Sequence, residues 1–257
     1  MIDLTGKTAI ITGASRGIGL ATARKLSLCG ANVVLAARSD DAIRHEADAL
    51  SAAGRGALAV ACDVARYADL AAVFERTIAE FGAVDILVNN AGVIDPIARL
   101  EDADPEIWST AVDINFKGVF YGLRLAIPHM LERGQGVIIN LSSGAANSAL
   151  EGWSHYCSTK VAARKLTECA HQEVGDKGVR VVGLSPGTVA TGMMEKIRAS
   201  GVNAVSQLDW SVHKPPEWAA EAVAFLCGPE GAEFAGDEFS IKTKEGLARL
   251  GLLQTEA

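Results

Sequence analysis

Short apolar runs recur along the chain, and longer amphipathic stretches separate them. Six runs predict strands buried on both faces of a sheet, because their apolar residues are nearly continuous. They lie at residues 7–12, 32–37, 57–62, 85–89, 136–142 and 179–185, and a weaker run at 237–242 fits a seventh strand. The stretches between them predict helices over residues 16–29, 40–53, 67–81, 105–133, 155–175 and 216–227.

Strands and helices alternate strictly along the chain. This order implies right-handed crossovers and a doubly wound, Rossmann-like parallel sheet with helices on both faces. No internal repeat or low-complexity linker divides the 257 residues. We therefore predict a single three-layer α/β domain over residues 1–257.

One connection is too long for a plain loop. Between Thr188 and Lys214, 27 residues separate the sixth strand from the next clear helix. Connections of this length are usually functional or disordered. Because the segment contains the helix-capable stretch "MMEKIRAS" and Trp210, we predict a substrate lid over residues 188–214, with a disordered insertion as the alternative.

Composition narrows the possible partners. The net charge is −7 and basic residues are scattered, so we expect no nucleic-acid partner. No apolar run reaches the length of a membrane span, and the N-terminal stretch lacks the features of a signal peptide. The five cysteines show no zinc-site spacing, so we expect no metal and reduced thiols in a cytoplasmic protein.

The stretch "TGASRGIG" (12–19) follows the first predicted strand and opens the first helix. Glycines at positions 13, 17 and 19 allow a tight turn, close approach to a pyrophosphate, and close packing of helix on strand. The N–H groups of the helix N-terminus then face the anion. In this βαβ setting the motif predicts a dinucleotide site.

The end of the second strand bears on cofactor choice. An NAD site usually has an acid there, whereas this chain has Ala37 followed by Arg38. With Arg16 in the glycine loop, two guanidinium groups can bracket a 2′-phosphate. We therefore predict NADP(H). The nearby Asp40 and Asp41 keep NAD(H) as the alternative.

Two further strand ends carry polar residues or glycine. Asp63 can accept a hydrogen bond from an adenine amino group, and Val64 can cover the ring. Gly92 in "NNAG" allows the backbone to pass close to a ribose. Asn89 and Asn90 fit a structural role at least as well as ligand contact.

A tyrosine and a lysine stand four residues apart in "YCSTK", which places Tyr156 and Lys160 on one face of a helix. A nearby ammonium and an oxidised nicotinamide ring both favour the phenolate and would pull the tyrosine pKa towards the working pH. Alone, such a pair is often surface decoration. Together with "TGASRGIG", "NNAG", "DINFKG", "NLSS" and "SPGTVAT", in this order and spacing, it resembles the short-chain dehydrogenase/reductase family over about residues 5–230.

This resemblance implies a single-domain fold with strand order 3-2-1-4-5-6-7 and a set of catalytic residues. Tyr156 would exchange a proton with the substrate oxygen, Ser143 would hydrogen-bond that oxygen, and Lys160 would also hold the nicotinamide ribose. Asn115 would hold a water that links Lys160 to solvent. The family spacing selects Ser143, and Ser142 is expected to face elsewhere.

The resemblance also implies contacts with the cofactor, including Val189 and Thr191 against the nicotinamide carboxamide. The full predicted set is Gly13, Ser15, Arg16, Gly17, Ile18, Gly19, Arg38, Asp63, Val64, Asn90, Ala91, Gly92, Tyr156, Lys160, Pro186, Gly187, Val189 and Thr191.

Three functional hypotheses follow. The first is an NADP(H)-dependent carbonyl reductase that reduces a ketone or 3-oxoacyl compound, or oxidises the matching secondary alcohol. The second is an NAD-dependent secondary-alcohol dehydrogenase, and the third is a non-catalytic NADP-binding sensor. All four catalytic residues are present, which argues against the third. A carrier-protein substrate would need a basic patch, and only Arg133 and Lys177 stand near the expected place.

The substrate pocket is expected from residues 93–96, 144–153 and the lid. Its candidate walls, each of which fits a core or interface role equally well, indicate a partly apolar carbonyl compound; they are Leu150, Trp153, Met193, Met194 and Trp210.

The C-terminal tail, about residues 242–257, departs from the family. Lys242, Thr243 and Lys244 replace the glycines expected after the last strand. Relatives pair the helices at 105–133 and 155–175, which implies a homotetramer or homodimer.

Overall fold

The computed structural model describes residues 2–253 and contains one seven-stranded sheet in which all paired strands are parallel. The strand order is β3-β2-β1-β4-β5-β6-β7, so the predicted doubly wound topology is confirmed. The strands are β1 (Thr8–Thr12), β2 (Asn32–Ala37), β3 (Ala57–Ala61), β4 (Ile86–Asn89), β5 (Gly136–Leu141), β6 (Val179–Ser185) and β7 (Glu238–Ser240).

Helices cover both faces of the sheet, and each face has its own hydrophobic core. Neighbouring residues of β1 show the division: Ile10 packs into one core and Ile11 into the other, both fully buried. The helices are α1 (Gly17–Leu28), α2 (Asp40–Ala52), α3 (Tyr67–Phe81), α4 (Pro105–Val112), α5 (Gly118–Arg133), α6 (Ser154–Val174), α7 (Gly192–Ser200), α8 (Pro216–Cys227) and α9 (Lys244–Arg249).

The helix predicted over 105–133 is not continuous. A π-helical turn, Asp113–Lys117, separates α4 from α5. The Asp104 side chain caps α4 by accepting hydrogen bonds from the backbone N–H groups of Glu106 (2.9 Å) and Ile107 (3.0 Å). Asn115 lies in the π turn, and such turns are frequent at functional sites.

The segment 188–214 is folded, so the alternative of a disordered insertion is wrong. Its two ends are joined, because Lys214 N–H donates to Thr188 O (3.0 Å) and Ala190 N–H donates to Lys214 O (2.9 Å). Between them lie α7 and two short 3₁₀ turns, Ala204–Gln207 and Trp210–Val212. The segment is therefore a folded loop that starts just after β6 and returns to its starting point, where its two ends are hydrogen-bonded to each other.

Three adjacent helices carry exposed apolar side chains. Ile107 on α4, Phe120 on α5 and Val161 on α6 are each about half exposed. Within residues 2–253, every helix is too short or too polar to cross a bilayer. The last four residues of the predicted C-terminal tail, 254–257, lie outside the described residues, as does residue 1 of the predicted domain.

Candidate active site

The glycine loop between β1 and α1 adopts backbone conformations that suit glycine. Gly13 and Gly17 have φ of +65° and +56°. A Cβ on Gly19 would collide with Gly13 O, so this position needs glycine for close packing. Arg16 occupies the N-cap of α1, but no side chain caps the helix. The first-turn N–H groups are thus left for an anion, which fits a cofactor pyrophosphate.

Asn90 holds this loop against the end of β4. Its Nδ2 donates to Thr12 O (2.7 Å), and its backbone N–H donates to Thr12 Oγ1 (3.0 Å). The amide is therefore engaged in structure, although the residue lines the cavity described below. Asn89 joins neighbouring strands, because its Nδ2 donates to Asn140 Oδ1 (2.9 Å).

A cavity of about 460 Å³ runs along the carboxyl edge of the sheet. Most of the predicted cofactor residues line it, namely Gly13, Ser15, Arg16, Gly17, Ile18, Arg38, Asp63, Val64, Asn90, Ala91, Gly92, Tyr156, Lys160, Pro186 and Thr191. Three do not: Gly19 packs behind Gly13, Val189 is buried beside Lys214, and Gly187 lies under the Lys242 side chain.

Two exposed arginines stand at one end of this cavity. Within residues 2–253, neither Arg16 nor Arg38 pairs with a carboxylate within 4 Å. The nearby Asp40 instead accepts from Arg44 Nε at 2.7 Å. One of the two carboxylates that kept NAD(H) as the alternative is thus engaged by another arginine.

Tyr156 and Lys160 lie on one face of α6, at the other end of the cavity. Both are buried, and Lys160 Nζ donates to Leu141 O (2.7 Å) and lies 5.6 Å from the centroid of the Tyr156 ring. Burial lowers the pKa of Lys160 to about 8, against the attraction of the Glu238 carboxylate, which raises it. An ammonium kept this close to a phenol can bias its proton equilibrium.

The environment of the Tyr156 hydroxyl differs from the sequence expectation. Burial raises the pKa of the Tyr156 phenol, and a hydrogen bond with Ser143 opposes this rise. In the protein alone, burial disfavours the phenolate more than the neighbouring groups favour it, and the lowering expected from Lys160 together with an oxidised nicotinamide ring stays a prediction.

Ser143 and Ser142 have different partners, and of the two it is Ser142 that lines the cavity. Ser143 Oγ accepts from Ala145 N–H (3.1 Å), which fixes the turn after β5 beside Tyr156. Ser142 instead faces Glu238 of β7 and lowers its pKa, although burial raises that pKa more. The Ser142 hydroxyl and Glu238 Oε2 are both buried without a hydrogen bond of standard geometry. The sequence did not predict Glu238 as a site residue, because the strand that carries it has only a short, weak apolar pattern.

Asn115 fixes the loop that follows β4. Its side chain bonds Val93 twice, accepting from the backbone N–H (2.8 Å) and donating to the carbonyl (2.9 Å). A Cβ on Gly92 would lie 3.4 Å from Asn115 Oδ1 and 4.0 Å from Lys160 Nζ. The structure thus brings the four predicted catalytic residues into one neighbourhood, while the implied water link through Asn115 stays a prediction.

The predicted substrate walls form a small apolar cluster around Tyr156. Trp153 and Met194 are buried in it, and Leu150, Met193 and Trp210 pack at its edge. Of these five, only Met193 lines the described cavity. Lys196 and Asp95 also line it and form an ion pair of 2.6 Å between α7 and the loop after β4. Nothing in the sequence linked these two residues, which are 101 positions apart.

Comparisons with known proteins agree with this fold and site. The family model described as short chain dehydrogenase matches residues 7–201. The 3beta-hydroxysteroid dehydrogenase 1 of Eggerthella lenta is 36% identical over 239 residues, covering 91% of each chain. The cis-4-hydroxycyclohexanecarboxylate dehydrogenase of Sinomonas cyclohexanicum is 36% identical over 244 residues, covering 90% of this chain and 92% of that protein.

A solved structure gives the same result. The 7 alpha-hydroxysteroid dehydrogenase complexed with NADH and 7-oxo glycochenodeoxycholic acid superposes with a TM-score of 0.82 at 31% identity, covering 93% of this chain and 94% of that one. The chain therefore belongs to the short-chain dehydrogenase/reductase family. It is an oxidoreductase of the type that acts on hydroxyl or keto groups with a nicotinamide cofactor.

Proposed function

We propose that the protein is an NADP(H)-dependent oxidoreductase that reduces a ketone or 3-oxoacyl-type carbonyl, or oxidises the matching secondary alcohol. The observation that carries the proposal is one cavity that is lined both by Tyr156 and Lys160 and by two arginines that, within residues 2–253, pair with no carboxylate. The first set fits carbonyl chemistry, and the second fits a phosphorylated ribose.

The residues of the chain would perform the proton chemistry. In reduction, Tyr156 gives its proton to the carbonyl oxygen, and Ser143 donates a hydrogen bond to the same oxygen as negative charge develops. Lys160 stabilises the phenolate left behind, because its ammonium lies 5.6 Å from the ring centroid. A bound nicotinamide cofactor supplies the hydride. The same groups act in reverse during alcohol oxidation.

The same chain offers places for each part of the cofactor. The uncapped first turn of α1 would bind the pyrophosphate, and Asp63 and Val64 would contact the adenine. Thr191, which lines the cavity, would contact the carboxamide, with Val189 held behind it by the Lys214 bridge.

The substrate class is narrowed by the relatives and the apolar cluster. The relatives include a cyclohexanol dehydrogenase, a cis-4-hydroxycyclohexanecarboxylate dehydrogenase and hydroxysteroid dehydrogenases, all named for alcohols on saturated rings. The apolar cluster around Tyr156, from which Met193 reaches the cavity wall, would favour such a ring over a small polar carbonyl. We therefore place alicyclic ketones and their secondary alcohols first.

A screen tests this proposal. Cyclohexanone, a 3-oxosteroid and a short 3-oxoacyl thioester would each be offered with NADPH and with NADH, and nicotinamide absorbance would be followed. We expect NADPH-dependent reduction of the ring ketones. Failure to reduce any carbonyl with either cofactor, by folded protein that binds NADPH, would contradict it.

Cofactor choice has a sharper test in Arg38. Losing one charge-assisted hydrogen bond to a phosphate should weaken binding by roughly ten- to hundredfold. Arg38→Ala should therefore weaken NADPH binding by this factor in calorimetry and leave NADH binding nearly unchanged. The control is Arg76→Ala, which removes an exposed arginine of α3 that does not line the cavity.

The second candidate function is an NAD-dependent secondary-alcohol dehydrogenase. It is favoured by the two solved relatives that were crystallised with NADH, the 7 alpha-hydroxysteroid dehydrogenase and a 3-ketoacyl-(acyl-carrier-protein) reductase from Brucella melitensis. This alternative would be favoured if the unaltered protein preferred NADH. It would also be favoured if Arg38→Ala lost the same binding affinity for NADPH and for NADH.

The segment 188–214 would act as the lid of this site. Lys196 of α7 and Asp95 both line the cavity and form an ion pair, and the anchored ends of the segment restrict motion to the part between them. Exposed ion pairs contribute little free energy, so this contact could open and reform easily. Closure of the lid over bound ligands stays a prediction.

Assembly and location also belong to the proposal. The exposed Ile107, Phe120 and Val161 lie on adjacent helices, as a dimer interface would require. A homotetramer or homodimer in the cytoplasm is the arrangement we propose.

A further inference from the structure

Two lysines that sequence reasoning did not connect lie together next to the reaction centre. A Cβ built on Gly187 would lie 2.9 Å from Lys242 Cγ and 3.6 Å from Lys214 Nζ. A Cβ built on Gly144 would lie 2.9 Å from Lys242 Nζ. The two glycines leave the space that these lysine side chains occupy.

Both glycines belong to turns that frame the catalytic groups. Gly144 follows Ser143 directly, and Gly187 follows Pro186, which lines the cavity. The Lys242 ammonium therefore lies within a few ångströms of the turn after Ser143, and the Lys214 ammonium lies beside the turn that contains Pro186 and Gly187. Neither lysine is among the residues that line the cavity, so both cations stand next to its walls.

The backbone holds both lysines in place. Lys214 pairs with Val189 at the base of the lid, and its N–H donates to Thr188 O (3.0 Å). Lys242 comes directly after Ile241, which is fully buried and whose N–H donates to Ser185 O (3.2 Å). The backbone of both residues is thus held at the end of the sheet, while the Lys242 side chain is exposed.

The charge of this pair is not balanced locally. Within residues 2–253, no carboxylate lies within 4 Å of either ammonium. Burial raises the pKa of the Glu238 carboxyl, and the Lys242 charge is among the groups that oppose this rise. Burial, and then the charge of Lys242, lower the pKa of Lys214. Lys214 is half-buried and Lys242 is exposed, and two neighbouring cations that repel each other would gain from an anion.

We propose that Lys214 and Lys242 bind a carboxylate carried by the substrate, so that the substrate is an alicyclic oxo or hydroxy acid. The identity of the substrate as an oxo or hydroxy acid rests on the proposed function. Binding of an anion by the two lysines does not depend on that function. Lys242 is also the first residue at which the tail departs from the glycines expected by family resemblance. The departure then has a function, which is to supply a cation.

The kinetic test compares 4-oxocyclohexanecarboxylate with the matching carboxamide at saturating NADPH. The unaltered enzyme is expected to have a higher kcat/KM for the acid. Lys242→Gln and Lys214→Gln should each lower kcat/KM for the acid by roughly ten- to hundredfold, the range of a lost charge-assisted hydrogen bond. The value for the amide should not change. Lys244→Gln, at the next lysine along the chain, is the control for a general change of charge. Equal losses for acid and amide, or an equal loss in the control, would overturn the proposal.

A binding test separates this inference from the proposed function. Cyclohexanecarboxylate and cyclohexanecarboxamide have no carbonyl on the ring to reduce, so calorimetry with the NADP⁺-loaded enzyme measures recognition without turnover. We expect the carboxylate to bind at least tenfold more tightly than the amide, and Lys242→Gln to abolish the difference. Carboxylate binding without any ketone turnover would leave the anion site standing and refute only the proposed function. Equal binding of the two ligands, or none of the carboxylate, would refute the anion site.

Discussion

Replacing Tyr156 with phenylalanine is expected to lower turnover by about 10²–10⁴-fold, the usual contribution of one acid–base group. The change removes the only proton that the proposed mechanism delivers to the substrate oxygen. It keeps the ring, which packs against Trp153 with centroids 5.7 Å apart. Steady-state kinetics with a ring ketone and NADPH would give the loss, and calorimetry should show NADPH binding largely intact.

Tyr67→Phe is the matched control for this change. Its hydroxyl lies on an exposed ring at the start of α3, which packs edge-on against Tyr121 and does not line the cavity. Turnover of this control should stay at the unaltered level. Substantial ketone reduction by Tyr156→Phe would mean that another acid protonates the substrate, and the proposed mechanism would fail.

The sheet could be predicted from sequence because buried parallel strands have almost continuous apolar runs. Six runs gave the central strands to within a residue or so, and even the weak run at 237–242 corresponds to β7, Glu238–Ser240. The break between α4 and α5 could not be predicted in this way. A π turn adds one residue to a helical turn without changing the residue types, so the periodicity of 105–133 gives no clear signal of it.

Some residues of the site could be predicted from the sequence in the same way, and others could not. A sequence motif identifies residues that stand at a set spacing along the chain. Tyr156 and Lys160 could be predicted for this reason, because they are four positions apart. Contacts between distant parts of the chain leave no such mark. Lys214 and Lys242 come from the lid and from the end of β7, and they meet only because β6 and β7 are neighbours in the sheet.

The pKa shifts of the catalytic groups also could not be predicted from the sequence. The sequence shows that Tyr156 has a lysine nearby, but it does not show how deeply either group is buried. Burial dominates the pKa of both groups: it raises that of Tyr156 and lowers that of Lys160 to about 8. The expectation of a lowered tyrosine pKa, which rested on the lysine together with an oxidised nicotinamide ring, did not include this opposing effect of burial.

Replacing Lys160 with methionine should reduce catalysis and cofactor binding together, unlike the tyrosine change. The ammonium stabilises the phenolate and would also hold the nicotinamide ribose. We expect turnover to fall by about 10²–10³-fold, within the range for loss of one acid–base partner, and NADPH affinity by roughly tenfold or more. Lys165→Met, at an exposed lysine of the same helix paired with Glu168, is the control and should change neither value.

The same variant has a second readout in stability, which depends on the pKa of about 8 for buried Lys160 against the ordinary value of 10.5. Below pH 8 the lysine is charged in both the folded and the unfolded state, so the folded state bears the full penalty of burying it. Between pH 8 and 10.5 the folded state loses the proton first, so the unfolded state binds more protons and stability rises with pH. A methionine at this position does not titrate, so it adds no such pH dependence to the stability of the variant. The free energy of unfolding of Lys160→Met, minus that of the unaltered protein, should therefore fall as pH rises from 7 to 10, by at most about 2–3 kcal/mol. Denaturant titrations across this range measure the difference. A constant difference would show that Lys160 keeps an ordinary pKa, and full turnover in the variant would remove the lysine from the mechanism.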